Sequence, residues 1–169
     1  MSDPLSAIIL GGVIILLIIA SAFFSSAETA LTAASEPRIR QLAKTGNKQA
    51  IRVEQLRHDR EKLISTILIG NNAVNVLASA IATSAAIALT GDSGVVLATL
   101  FMTVVLVLCA EVLPKSYAFN HADKFSLKIA LTVQILVFLL TPLSWAVRSI
   151  VVFMLGTPDS DTDKREEEL

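Results

Sequence analysis

At 169 residues, 53% of them hydrophobic and 17% charged, with a mean hydropathy of +0.66, the chain is too apolar for an ordinary soluble domain. Three or four membrane spans consume most of that length and leave no room for a sizeable soluble domain. The net charge of −1 excludes little because the charges are segregated, and the single Cys109 cannot form an intrachain disulfide. Lying in an apolar run, it reads as a small core residue.

From Leu5 the sequence runs without charge through LSAIILGGVIILLIIASAFF, long enough to span a bilayer. Ala20-Ser21-Ala22 resembles a signal-peptide cleavage site. No Lys or Arg precedes it, however, and the run exceeds an ordinary signal core of about 7–15 residues. The segment is therefore read as a retained transmembrane helix over about 5–35, broken at Glu36-Pro37, with Ser35 the expected cap of the next helix.

Residues 37–61 change character. Ile39, Leu42 and Ala43 recur at helical spacing, Thr45-Gly46-Asn47 interrupts, and Ala50, Val53 and Leu56 resume. This predicts a helix–turn–helix outside the bilayer, a solvated connector rather than a nucleic-acid reader. Eight of the fourteen Lys and Arg lie between Arg38 and Lys62, whereas 1–4 and 90–94 carry none. The positive-inside rule then places the connector in the cytoplasm and the N-terminus outside. His58 belongs to this polar surface.

A second span is predicted over about 62–89. Ala78, Ala82 and Ala86 form a small-residue face suited to close helix packing. Thr90-Gly91-Asp92-Ser93-Gly94 is an outer turn. A third span over about 94–119 contains Glu111 and Pro114, and Asn120 to Lys124, with a solvated His121, returns to the cytoplasmic surface. Residues 126–155 are long enough to span but contain Lys128, Thr141-Pro142, Trp145 and Arg148. Pro142 is expected to kink them, and Trp145 and Arg148 look like interfacial anchors. From the residues alone, a fourth span and a bent helix in the inner leaflet both stand. The tail 156–169 is acidic and expected to be disordered. The sequence shows no internal repeat and no phosphate-binding glycine loop.

Three polar clusters interrupt these apolar runs: Ser25-Ser26-Ala27-Glu28, Gly70-Asn71-Asn72-Ala73-Val74-Asn75 and Ala110-Glu111-Val112-Leu113-Pro114-Lys115. A carboxylate near the bilayer centre costs about 2.5–3.5 kcal/mol on insertion scales, so such a group is usually paired or faces a cavity or ion path. By helical rise, Ser25 lies about 15 Å from Ser35, and Glu111 about 12 Å from Phe119. Asn71 and Asn75 lie about 13 and 20 Å from Lys62. The three clusters are thus expected near one depth. Asn71 and Asn75 share a helix face, Asn72 points away, and Glu111 and Lys115 are spaced to pair. Pro114 cannot donate to the carbonyl of Ala110, which frees an acceptor beside Glu111. Carboxylate, amide, hydroxyl and carbonyl oxygens without Cys or His suit Mg²⁺, Ca²⁺ or Na⁺ rather than zinc or copper. Ser and Asn in membrane helices also serve purely as interhelical hydrogen-bond partners. No nucleophile–base pair is present, so an enzyme is not expected.

The stretches SAFFSSAETAL (21–31), ILIGNNAVNVLAS (67–79) and AEVLPKSYA (110–118), in this order around a basic connector, resemble the transmembrane domain of the CNNM/CorC family of magnesium transporters. The resemblance covers about 5–155. It implies an all-α membrane domain of three spans, a cytoplasmic helix–turn–helix and a Pro-kinked juxtamembrane helix over 126–155 that does not fully cross. It further implies a homodimer joined through transmembrane helices, in the plasma (inner) membrane with a cytoplasmic C-terminus. The implied activity is Mg²⁺ export coupled to Na⁺, by alternating access around a dehydrated midplane site. The family's ion-binding residues match Ser25, Asn71, Asn75 and Glu111. Ser26, Glu28, Ala110, Pro114 and Lys115 are further ion-site or supporting candidates. Other branches have glycine at Ser26 and asparagine at Glu28. The family's cytoplasmic nucleotide-binding domains have no counterpart here, so an isolated membrane portion without ATP regulation is expected. A non-transporting Mg²⁺ sensor and a carrier of another cation remain the alternatives.

Overall fold

The computed structural model describes the backbone of residues 4–91 and 94–155 and, within them, side chains other than those of 4, 6, 90 and 143–155. The expected acidic tail, the tip of the outer turn at Asp92 and Ser93, and the anchoring side chains of Trp145 and Arg148 lie outside these. Every regular element described is helical. In chain order they are α1 (Pro4–Ala33), α2 (Glu36–Lys44), α3 (Lys48–His58), α4 (Arg60–Thr90), α5 (Gly94–Val105), a π-helical stretch (Leu106–Val112), α6 (Leu113–Asn120) and α7 (Ala122–Leu155).

Four segments are long and apolar enough to cross a membrane: Ala7–Ala33, Arg60–Leu89, Gly94–Asn120 and Ala122–Pro142. By length and composition alone these are four candidate spans; the first three fall where spans were expected, and the fourth falls where a juxtamembrane helix was expected. Beside an apolar core, large apolar side chains also cover the outside, as they do not in a soluble protein. Ile8, Leu16, Leu68, Val76, Leu97 and Phe101 face outward, whereas Ser21, Ser25, Ser26, Thr66 and Ser126 are buried. That pattern is stable when the surroundings are hydrocarbon and polar groups must be satisfied within the bundle.

α1 and α4 pack side by side, and α1 also touches the π-helical stretch, α6 and α7. Phe24, Ala27, Ala30 and Leu31 of α1 meet Leu63 and Ile67 of α4 and Ile129, Ala130 and Val133 of α7 in one core. Ile39, Ala50, Val53 and Leu56 of the connector join that core. The connector is thus a packed cap on one end of the bundle, not merely a solvated link. Its apolar positions alternate at helical spacing because one face covers the ends of the long helices.

Local chemistry fixes this cap. Gly46 takes a φ of +85°, and the Asn47 side chain accepts from the amides of Gln49 and Ala50 to start α3. Ser35 stands at the start of α2 but makes no side-chain cap. Instead its own amide donates to Asp123 Oδ1 at 2.8 Å, and Arg38 reaches the other oxygen at 3.2 Å. Arg57 donates to the carbonyl of Ala34 at 3.1 Å. The end of α1, the connector and the α6–α7 junction therefore lie together.

On the opposite half, Ala78 of α4 is fully buried, as are Ala98 and Met102 of α5 to within a few per cent. The small-residue face is used for packing near Ala78, while Ala82 and Ala86 are half-buried. α7 continues through Pro142 without ending. Its residues Gln134, Val137, Phe138 and Thr141 line a cleft of about 240 Å³ with Gln55, Asp59, Lys62 and Leu63. Further along α7, Leu140 Cδ1 lies 3.3 Å from where a Cβ on Gly70 would stand.

Candidate cation site

The decisive cross-helix contact is a hydrogen bond from Ser21 Oγ to Asn71 Oδ1, at 2.7 Å. It sets the register of α1 against α4. Both helices carry oxygen at intervals of a turn on the facing side: Ser21, Ser25 and Glu28 on α1, and Asn71 and Asn75 on α4. Spacings of four and three residues keep the α1 set on one face, and a spacing of four does the same for Asn71 and Asn75; Thr66, five residues before Asn71, lies off that face.

Heights above the capped end follow from helix lengths at about 1.5 Å per residue. Glu28 and Lys115 lie at about 8 Å, Ser25 and Glu111 at about 12–13 Å, Ser21 and Asn71 at about 17–18 Å, and Asn75 at about 22 Å. By this count the expected residues spread over about 10 Å of height, as a ladder of oxygens whose steps are about 5 Å. Ser25 and Glu111 share a level. Asn71 stands about one turn above them and Asn75 another turn above that. These heights use the same helical rise as the expectation, counted from the ends of the observed helices.

Ser25 and Asn75 have a feature in common. Ser25 Oγ and Asn75 Oδ1 are buried atoms without a hydrogen-bond partner among the described residues. Ser25 is 1% exposed. Ser26, equally hidden, spends its hydroxyl on the carbonyl of Phe23 at 3.0 Å. The carbonyl of Ser25 is engaged by Thr29 Oγ1 at 3.1 Å. Asn72 is exposed, as its helical position requires.

Glu111 is half-buried in the π-helical stretch and forms no ion pair or side-chain hydrogen bond among the described residues. The expected Glu111–Lys115 pair is not formed. Lys115 Nζ instead lies 3.5 Å from Glu28 Oε2, across the α1–α6 contact. The physical reason is local. Upstream of Pro114 the ladder widens, so that the amide of Leu113 bonds the carbonyl of Leu108, five residues back. This shifts the spacing of Glu111 and Lys115 from the ideal one-turn geometry. Ala110 is completely buried beside Glu111, and Pro114 is half-buried.

Gly70, just before the asparagines, has a steric role. A Cβ there would come within 2.7 Å of Phe24 Cζ and 2.8 Å of Cε1. The absence of a side chain lets Phe24 seat on α4 directly beside Ser25. Ser21 and Thr66 were not singled out from sequence. Ser21 sits in a run read for its apolarity, although its spacing of four from Ser25 was the available signal.

No cluster of three His, Cys, Asp or Glu occurs among the described residues.

Residues 12–169 match the family described as the cyclin M (CNNM) transmembrane N-terminal domain. The chain belongs to this CNNM transmembrane-domain family. It is 39% identical over 141 residues to the UPF0053 inner membrane protein YfjD of Escherichia coli K12, covering 83% of this chain and 33% of that protein. A UPF0053 protein of Haemophilus influenzae is 40% identical over 144 residues, covering 85% and 34%. A chloroplastic DUF21 domain-containing protein of Arabidopsis thaliana is 38% identical over 120 residues, covering 71% and 18%. The chain spans about a third of the length of the bacterial relatives and less of the plant one. Within the family it is a multi-pass CNNM membrane domain.

Proposed function

We propose that this CNNM domain carries Mg²⁺ across the membrane, in the direction of export and coupled to Na⁺, along the oxygen ladder between α1, α4 and the π-helical stretch. The observation that carries the reading is the pair of buried oxygens without partners, Ser25 Oγ and Asn75 Oδ1, flanking the Ser21–Asn71 bond. Leaving a buried polar atom unsatisfied costs about 1–3 kcal/mol. Two such atoms on one track are explained by a ligand that they serve.

Ser25, Asn71, Asn75 and Glu111 supply the oxygens. Glu111 also supplies the charge that compensates the ion for lost water, because Mg²⁺ dehydrates reluctantly. With steps of about 5 Å, no single level surrounds a small ion completely. Enclosure then requires α1 and α4 to move relative to one another, the rearrangement that alternating access supplies. The widened backbone at Leu106–Val112 is a natural place for that change, since π-helical stretches recur at functional sites.

The topology we assign has three spans, with the basic connector in the cytoplasm and α7 as an inclined juxtamembrane helix. Asp123 meets Ser35 at the capped end, and Leu140 has climbed only to Gly70. Gly70 stands about 15 Å above Arg60, whereas 17 residues of α7 measure about 25 Å. α7 therefore runs obliquely as far as Leu140, and the juxtamembrane reading takes the helix after Pro142 to lie along the interface rather than to continue across. The assembly is a homodimer through outward-facing transmembrane surfaces.

The test is calorimetric Mg²⁺ binding to purified wild type, N75A and E111A, followed by flux in liposomes. Saturable binding and flux that are both lost in the two variants are expected. Binding unchanged in both folded variants would leave the oxygens as helix contacts only. Binding without any flux in the wild type would make the domain a sensor.

A further inference from the structure

The oxygen track on α1 does not stop at Ser25. Ser21, Ser25, Glu28 and Thr32 follow one another at intervals of four, three and four residues, and so share one face. Their exposure rises towards the capped end. Ser21 and Ser25 are 0% and 1% exposed, the Glu28 side chain 37%, and Thr32 is open. The track therefore runs from buried oxygens at Ser21 and Ser25 to exposed ones at Glu28 and Thr32. Glu28 is the only carboxylate in α1, and it stands at the transition.

The group facing it is itself a cation. Lys115 Nζ lies 3.5 Å from Glu28 Oε2, longer than the roughly 2.7–2.9 Å of a strong charge-assisted hydrogen bond. Its side chain is 46% exposed. Lysine carries a compact charge on a flexible stem and withdraws into water at little cost. A pair this long and this exposed contributes little to holding α1 against α6, which the packing around Ala118 and Ala30 already does. The residue immediately above the pair on α6 and the π-helical stretch is the carboxylate Glu111.

We propose that Glu28 is a second cation-binding carboxylate, occupied in this structure by the Lys115 ammonium, which a hydrated divalent cation displaces before it enters the ladder. Mg²⁺ commonly binds through one carboxylate while keeping several waters, and a carboxylate about one-third exposed has room for those waters. The exchange raises the local charge by one, because a tethered monovalent ammonium leaves as a free divalent ion arrives, and the Glu28 carboxylate then offsets half of the charge on that ion. Dehydration is completed one turn further in, at Ser25 and Glu111. This inference rests on the cation reading of the ladder, but it concerns a different binding event.

The experiment titrates MgCl₂ calorimetrically into purified wild type, K115Q, E28Q, K115Q/E28Q and K115Q/N75A, with folding checked by gel filtration in detergent. K115Q is expected to add a second saturable Mg²⁺ event or to tighten the first by about tenfold, as fits removal of a unit charge within about 4 Å at a partly solvated site. E28Q is expected to weaken binding, and K115Q/E28Q to abolish the gain. A purely structural pair predicts shifts of the same sign in K115Q and E28Q, or none; either result overturns the proposal. If K115Q does not fold, E28Q decides, since unchanged affinity in that variant also overturns it. The ladder and the Glu28 site are separable. Loss of binding in N75A tests the ladder, and persistence of the extra event in K115Q/N75A tests Glu28.

Discussion

Ser21 and Ser25 lie one turn apart on the same buried face, yet they stand in opposite energetic positions. Ser21 donates to Asn71 across the helix interface, whereas the Ser25 hydroxyl has no partner among the described residues. Their alanine variants should therefore diverge. S21A strands the Asn71 oxygen and is expected to lower the unfolding free energy by about 1–3 kcal/mol. S25A removes an unsatisfied hydroxyl and is expected to leave apo stability unchanged or slightly higher, while losing the stabilisation that Mg²⁺ confers. Thermal unfolding in detergent, with and without Mg²⁺, separates the two. Equal losses in the absence of Mg²⁺ would mean that Ser25 is an ordinary helix contact. At the same scale, G70A drives a methyl group into the Phe24 ring. Overpacking of this kind costs about 1–3 kcal/mol, and it should disturb binding through displacement of Ser25. A melting temperature equal to that of the wild type would show that Phe24 can turn aside freely.

Among the elements, the sequence was most legible where a pattern is local. The apolar runs set the three long helices to within a few residues, because an uncharged stretch of this length has few alternatives in a membrane protein. Thr45-Gly46-Asn47 marked the connector's turn, and Asn47 proves to be its cap. N47A is expected to cost about 1 kcal/mol and to raise amide exchange at Gln49 and Ala50, the two donors it satisfies. Equal exchange in the variant would remove the cap from the account. Cross-helix relations were less legible. Glu111 and Lys115 invited pairing by spacing alone, but Glu28 on another helix takes the lysine. Ser35 had a capping side chain in reach, but Asp123, 88 residues away in sequence, engages its amide. The depth of the asparagines depended on a register that a single bond to Ser21 fixes. In each case the deciding partner is distant in sequence, and one chain's periodicity carries no record of it.

At the scale of the whole molecule the open matter is α7, because it sets which side of the membrane the rest of the chain occupies. By length and apolarity it qualifies as a fourth span. Its neighbours argue for an oblique path. Asp123 is tied to Ser35, Gln134 to Thr141 line a cleft with the polar start of α4, and Leu140 reaches only as far as Gly70. A crossing helix would leave the end of α7 opposite the connector; one that lies back along the interface after Pro142 would leave it on the connector's side. The prediction is made testable by the chain's single cysteine. In a C109A background, cysteines at Asn47 in the connector, at Asn120 and at a C-terminal reporter position should react with an impermeant thiol reagent from the same side of sealed vesicles. A C-terminal cysteine that labels only from the opposite side would make α7 a fourth span. That outcome would leave the oxygen ladder intact, because α1, α4 and the π-helical stretch form it without α7. It would place the end of α7 across the membrane from the basic connector and the α6–α7 junction.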